Sequence, residues 1–308
     1  VSGPSGDWHY GRRRHLRLCV EETWGVCPED PAWQAVPILG DGFGLKAANP
    51  RFRPGTLYGG WKRSVQLSHF QAVRGGFVTL PWPQLAALLL DVAFDRQDDE
   101  LPGCCMDYYT PADPRRYLGV KADGLEIVAS ALGRDTEFRF TLQAAAEEPA
   151  PTLAEDDFDY SGLSPVPFLF DGAVVKVDEV EVTGVEQFTL RVRNNLAPGP
   201  NRGGAVGFLA AGQRAVSLAL RKLDDGDAFN AAARSGGAFS FEAAFAHPEG
   251  HTLNLALPVL HAQESVEEAG PGRLARAVLR MEAGTDEEGD DILHTVNLAA
   301  TTTEAESP

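Results

Sequence analysis

The chain has 308 residues, 44% of them hydrophobic, and a formal net charge of −17. That length accommodates about two ordinary domains; no apolar run reaches the ~18 residues that a spanning helix needs, and residues 1–18 are basic without the apolar stretch of a secretory signal. So acidic a chain is excluded as a general nucleic-acid binder, which sets lysines and arginines over phosphates, and suits a surface past which DNA moves without sticking.

Residues 1–15 are rich in Gly, Ser and Arg and read as an arm. Leu16, Leu18 and Val20 alternate with Arg17 and Cys19, as a half-buried strand does. Trp24-Gly25 and a Pro-rich turn follow. Residues 40–61 form a long Gly/Pro loop, and loops of that size are commonly interaction arms. Residues 64–72 and 77–80 are strand-like, with Gly75 and Gly76 read as a turn between them. Pro81-Trp82-Pro83 then opens a helix with Pro83 at its first position. Leu85, Leu88, Leu89, Val92 and Ala93 make one apolar stripe, and the helix ends at the polar run 95–100. Residues 95–114 read as polar and turn-rich. A strand over 117–129 is expected to bulge at Asp123-Gly124, and Phe138, Phe140 and Leu142 complete an antiparallel hairpin across Gly133. The acidic 149–159 is the natural linker.

The second half has strands expected over 174–182 and 185–192 around Gly184, then a second long loop over 194–212. A strand over 214–221 leads into Asp224-Asp225-Gly226-Asp227, a run of N-cap residues. Phe229, Ala232 and Ala233 predict a short helix, stopped at Gly236. Strand alternation returns at Phe239, Phe241 and Phe245, at Leu253, Leu255 and Leu257, and at Ala275, Ala277, Leu279 and Met281, with a final strand over 292–298. This order repeats the first half. Phe43, Gly44, Leu45, Lys46 and Asn49 precede the first strand–helix unit; Phe188, Thr189, Leu190, Arg191 and Asn194 precede the second. The period is roughly 140 residues, a domain-sized unit. The expected organisation is an arm (1–15), a first domain (16–148), a linker (149–159), a second domain (160–298) and a tail (299–308). The expected fold is mainly β, two tandem β-sandwich or barrel domains with one flanking helix each. The loops 40–61 and 194–212 are expected to contact other subunits. Net charge is about −4 before Asp156 and about −13 from there on.

No catalytic, cofactor-binding or metal-binding residue is assigned. Gly40, Gly42 and Gly44 lack the strand and helix of a nucleotide loop. The acidic clusters at 224–227 and 286–291 lack the terminal glutamate of a calcium loop; an N-cap and a solvated turn explain them. His247, His251 and His261 read as surface or interface histidines on separate strand-like segments. No GxSxG elbow occurs. Cys19, Cys27, Cys104 and Cys105 are too few and too uneven for a disulfide framework and read as reduced thiols. Trp24, Trp61, Trp82, Tyr108 and Tyr109 could form a sugar-binding platform, against which Trp82 is explained by helix-start packing and Trp61 by loop anchoring.

Several stretches together resemble one family. They are Glu21-Glu22-Thr23-Trp24-Gly25; Gly75-Gly76-Phe77-Val78-Thr79-Leu80 followed by a leucine-rich helix; Tyr117-Leu118-Gly119-Val120-Lys121; the strand FTLRVRNN at 188–195; and LNLALPV at 253–259. In that order, over residues 16–298, they resemble the two-domain major tail tube proteins of long-tailed, siphovirus-type bacteriophages. The basic Arg12 to Arg14 and the pair Cys104-Cys105 depart from the pattern. The resemblance implies a structural, non-enzymatic virion protein without cofactors, assembled in the host cytoplasm into the tail. Its subunits would form stacked rings that conduct DNA at ejection. Partners implied are further copies of itself, the tape measure, tail terminator and tail tip proteins, and DNA passing without specific binding; no membrane is implied. Family rings present six tube domains, so a two-domain chain implies a trimer with pseudo-six-fold symmetry, the rival being a hexamer. An acidic inner surface is expected from the net charge. The alternatives are a tube or connector of a contractile injection system, and a soluble carbohydrate-binding β-sandwich; an enzyme ranks last.

Overall fold

The computed structural model describes residues 14–40, 43–48, 51–52, 67–68, 72–96, 100–133, 135–200, 206–223, 237–268, 276–285, 289 and 291–299. The first half contains β1 (His15–Val20), β2 (Gln34–Val36), β3 (Lys46–Ala48), β4 (Arg51–Phe52), β5 (Leu67–Ser68), β6 (Ala72–Thr79), α1 (Pro83–Phe94), β7 (Cys104–Tyr109), β8 (Arg115–Ser130), β9 (Thr136–Ala144) and β10 (Ala146–Pro149). The second contains β11 (Ala173–Val177), β12 (Val180–Glu181), β13 (Val185–Arg193), β14 (Ala197–Pro200), β15 (Val206–Ala210), β16 (Ala215–Leu223), β17 (Ala238–Ala246), β18 (Thr252–Glu268), β19 (Arg276–Ala283) and β20 (Leu293–Asn297). The fold is mainly β, and no helix among the described residues is long and apolar enough to cross a membrane. The helix expected before Gly236 lies outside the described residues.

The same strand order occurs twice. Neighbours in the first half run β2-β1-β7-β8-β9-β6-β3, and in the second β12-β11-β17-β18-β19-β16-β13. All these pairs are antiparallel. Each half has one long strand, β8 or β18, with a further strand, β10 or β20, along its N-terminal part. Each long strand bulges at the same point of its pairing, between Ala122 and Gly124 against β9 and between Ala262 and Glu264 against β19. The expected bulge at Asp123-Gly124 is therefore present, and its counterpart was not anticipated. Small hairpins, β4–β5 and β14–β15, sit in corresponding long loops.

One apolar core runs through both halves. Phe77, Phe138, Phe168, Phe188, Phe241 and Phe245 are fully buried in it. Helix α1 begins at Pro83, where a missing N–H costs nothing. It lays Leu85, Leu89, Val92 and Ala93 into this core, against β8, β18 and β20. Gly75 and Gly76 do not form a turn; they lie inside β6. A Cβ on Gly75 would collide with the Gly44 carbonyl, and one on Gly76 with that of Phe140. Their role is close approach of backbones.

The structure departs from the sequence pattern at two further places. The stretch 95–114 contains the buried strand β7. Its Asp107 breaks the apolar pattern but is neutralised. Arg17 donates to its carboxylate through Nε (3.0 Å) and Nη2 (2.9 Å), and Arg116 through Nε (2.7 Å) and Nη2 (3.0 Å). The stretch 174–182 is two strands, split at Asp178 and Glu179, whose φ values are 48° and 64°. The 149–159 segment packs onto the first half. Leu153 and Phe158 bury against Ala35, and Arg17 donates to the Asp157 carbonyl (2.9 Å) while lying over the Trp33 ring.

Candidate assembly interface

The two halves meet strand to strand. β13 pairs with the C-terminal part of β8, from Gln187 opposite Ser130 to Arg193 opposite Gly124. Arg191 donates to Glu126 (2.8 Å), whose carboxylate also lies 3.9 Å from Arg139. Gly124 lets the strands close, since a Cβ there would sit 2.8 Å from the Val192 carbonyl. Beyond the paired stretch, the Asn194 N–H donates to the Asp123 carbonyl (2.8 Å) and the Leu196 N–H to the Asp123 carboxylate (2.7 Å).

Asn194 is fully buried and ties three elements together. Its amide donates to the Ala93 carbonyl in the last turn of α1 (2.9 Å) and to the Ala122 carbonyl of β8 (3.0 Å), and accepts from Arg96 (3.3 Å). Arg214 donates to the Phe94 carbonyl (2.8 Å). Residues of the second half thus satisfy carbonyls that the end of α1 leaves open. Asn194→Ala strands two buried carbonyls, so we expect a loss of roughly 1–3 kcal/mol, read from denaturant midpoints; an unchanged midpoint would show that water replaces the amide.

The same joint leaves edges elsewhere. The C-terminal part of β8 has β9 on one side and β13 on the other. The corresponding part of β18 has β19 on one side and, among the described residues, no strand on the other. β3, which corresponds to β13, pairs with β6 alone among the described residues. Unpaired edges of this kind are templates for another chain.

Two of the family-like stretches form a single contact. Glu21 accepts from the N–H groups of Gly25 (2.7 Å) and Gly119 (2.8 Å), and the Trp24 indole donates to the Gly119 carbonyl (3.2 Å). Gly119 has φ +61°, a left-handed conformation. Burial pushes the Glu21 carboxyl above its usual range, against the lowering effect of those two N–H groups and of Lys121. A raised folded-state pKa means that stability falls as pH rises from the ordinary carboxylate range through Glu21's own value. Glu21→Gln is expected to flatten that slope in unfolding midpoints measured across pH; a slope equal to wild type would remove Glu21 as its source.

The motifs weighed from sequence are dispersed. Gly40 is a turn residue with φ +56°, and Gly42 lies outside the described residues, as do 224–227 and most of 286–291. Asp291 pairs with Arg214 (3.0 Å). His247 and His251 flank the β17–β18 turn and come together with Glu249, whereas His261 lies away on β18. His247 contacts the Val166 carbonyl through Nε2 and accepts the Glu249 N–H at Nδ1; His251 accepts the Ala299 N–H. His247 and His251 are thus buried residues that together hold one turn, not surface histidines on separate segments as the sequence suggests. Among the described residues the aromatics share no platform: Tyr108 stacks on Phe43, Tyr109 lies near His15 and Phe158, Trp24 caps Gly119, and Trp82 is buried at the start of α1; Trp61 lies outside the described residues.

The family model for phage tail tube protein matches residues 11–300, which takes in both copies of the strand order and the joint between them. No curated protein matches the chain. By that match the chain belongs to the phage tail tube protein family, and it is a structural component of the virion tail.

Proposed function

We propose that the protein closes head-to-tail into rings, that the rings stack into the tail tube, and that the tube conducts DNA at ejection. The pairing of β13 with β8 carries this reading, because the corresponding edges, β3 and the C-terminal part of β18, have no such partner among the described residues and are open to the same pairing between chains. The bulges set the correspondence of the halves. Leu142 and Met281 pair with the last residue before each bulge. Gly75 and Leu218 oppose them, so Val73 corresponds to Val216. Ala47 opposite Val73 then corresponds to Val192 opposite Val216. On β18, Ser265 corresponds to Leu125. Since Val192 faces Leu125 within the chain, Ala47 of one copy faces Ser265 of the next. Such contacts are heterologous, and repeating them generates a closed ring or a helix.

We place the two units at 16–148 and 160–298, and three chains in a ring of six units. The tape measure protein would occupy the lumen during assembly in the host cytoplasm, with terminator and tip proteins at the ends. The loops holding β4–β5 and β14–β15 would reach neighbouring subunits or rings. Deleting residues 198–204 is expected to leave a folded chain that forms no tubes in negative stain; tubes of normal length would count against this role.

The conduit would be lined by the polar face of the paired strands. An acidic inner surface was expected, but the described strand residues there do not supply one. By strand register, Lys46, Arg74, Arg139, Arg191, Arg193, Arg221, Arg276 and Arg280 stand there with Glu126, Glu137, Glu186, Glu264, Glu268 and Glu282. Several are ion-paired, Arg191 and Arg139 to Glu126 and Arg221 to Glu186. Net charge is a property of the whole chain and does not report one face.

The test is a disulfide across the proposed joint. Directly opposed strand positions are close enough to bridge. Ala47→Cys combined with Ser265→Cys, oxidised after assembly, should give a ladder of linked chains on a non-reducing gel, absent from wild type and from either single variant. Assembled tubes that yield no ladder would refute the joint.

A further inference from the structure

The four cysteines are free thiols, yet three of them converge. Cys19 on β1 lies directly opposite Cys105 on β7. Cys27 arrives from the loop after β1, and the three sulfurs lie within 4.8 Å of one another. We propose that Cys19, Cys27 and Cys105 form a binding site for a thiophilic metal ion of the zinc class, which staples β1, its following loop and β7 together.

A tetrahedral ion with sulfur at about 2.3 Å sets its ligands about 3.8 Å apart, so the sulfurs need to close by no more than about an ångström. The loop that carries Cys27 is held in place independently of any metal. Glu21 grips the N–H groups of Gly25 and Gly119, Thr23 bridges Val26, and Trp24 donates to Gly119. Such preorganisation lowers the ordering cost of binding. Cys19 and Cys105 are buried, whereas Cys27 is only partly buried, which gives an ion a route of entry. Cys104 is fully buried in the core and stays outside the cluster.

The three thiols are not alike. Sulfur hydrogen bonds from Cys105 and Cys27 favour the thiolate at Cys19, whereas burial pushes the Cys27 thiol up and the hydrogen bond to Cys19 pushes the Cys105 thiol up, so the ion itself must displace those two protons. Arg116 lies close enough to Cys27 and Cys105 to act on both. On binding, three thiol protons leave and a divalent ion takes three thiolates. The site passes from neutral to a single negative charge beside that guanidinium. Soft thiolate donors select zinc, cadmium or copper(I) over magnesium or calcium. Because the ligands come from two strands and a loop without a CxxC spacing, only the fold brings them together.

The experiment titrates the full chain, reduced and kept free of oxygen, with Cd2+ and Zn2+. We expect one equivalent of Cd2+ per chain, a cadmium–thiolate charge-transfer band in the ultraviolet, proton release, and a melting temperature that rises with metal concentration. Cys27→Ser removes a ligand from an exposed loop and should leave the metal-free melting temperature near wild type. It should weaken binding by about 100-fold or more, beyond what outer-shell changes cost. Absence of the band in wild type would overturn the proposal, as would equal affinity in Cys27→Ser. Peptide mapping that finds a Cys19–Cys105 disulfide in protein prepared with zinc present would overturn it as well.

Discussion

Asp107→Ala is expected to cost about 3 kcal/mol or more of folding stability, the low end of what removing one member of a buried ion group costs. The carboxylate is fully buried, and its partners are the side chains of Arg17, 13% exposed, and Arg116, 34% exposed. Without it, two guanidinium groups lose their acceptor, and solvent can compensate Arg116 more readily than Arg17. The damage spreads because Arg17 also holds the Asp157 carbonyl and lies over Trp33. The segment joining the halves should therefore become protease-sensitive. Urea denaturation followed by circular dichroism checks the magnitude. A loss below about 1 kcal/mol would place the cluster with exposed ion pairs, which contribute that little.

Ala47→Pro is expected to abolish tube formation while leaving the chain folded. The Gly44 N–H donates to the Gly76 carbonyl (3.0 Å), so Gly44 faces β6. In an antiparallel ladder alternate residues turn their backbone groups to opposite sides. Lys46 and Ala48 thus bond toward β6, and Ala47 turns its N–H toward the open edge. Proline there removes a donor needed only by an incoming strand. Unfolding midpoints should stay close to wild type, while sedimentation and negative stain show dispersed chains. Tubes of wild-type abundance would show that this edge is not the joint.

Much of the fold was legible because local rules agreed. Pro83 and the Leu85–Leu89–Val92 stripe mark α1, and Asp123-Gly124 marks the bulge. The paired stretches beginning Phe43 and Phe188 align in the strand register as in the sequence, since Lys46 and Arg191 occupy corresponding positions. What stayed hidden depends on distant partners. β7 was missed because Asp107 reads as a surface residue until Arg17 and Arg116 neutralise it. Gly75 and Gly76 read as a turn because a crowded backbone has no sequence signature. The joint itself was invisible, since β8 and β13 each read as ordinary half-buried strands and nothing in either names its neighbour.

The most direct test is an image reconstruction of assembled tubes without imposed symmetry. Three chains per ring are expected, with Ala47 of each chain opposite Ser265 of the next, as Val192 is opposite Leu125 within one chain. Six chains per ring, or a β3 edge that faces anything other than the C-terminal part of β18, would contradict this arrangement.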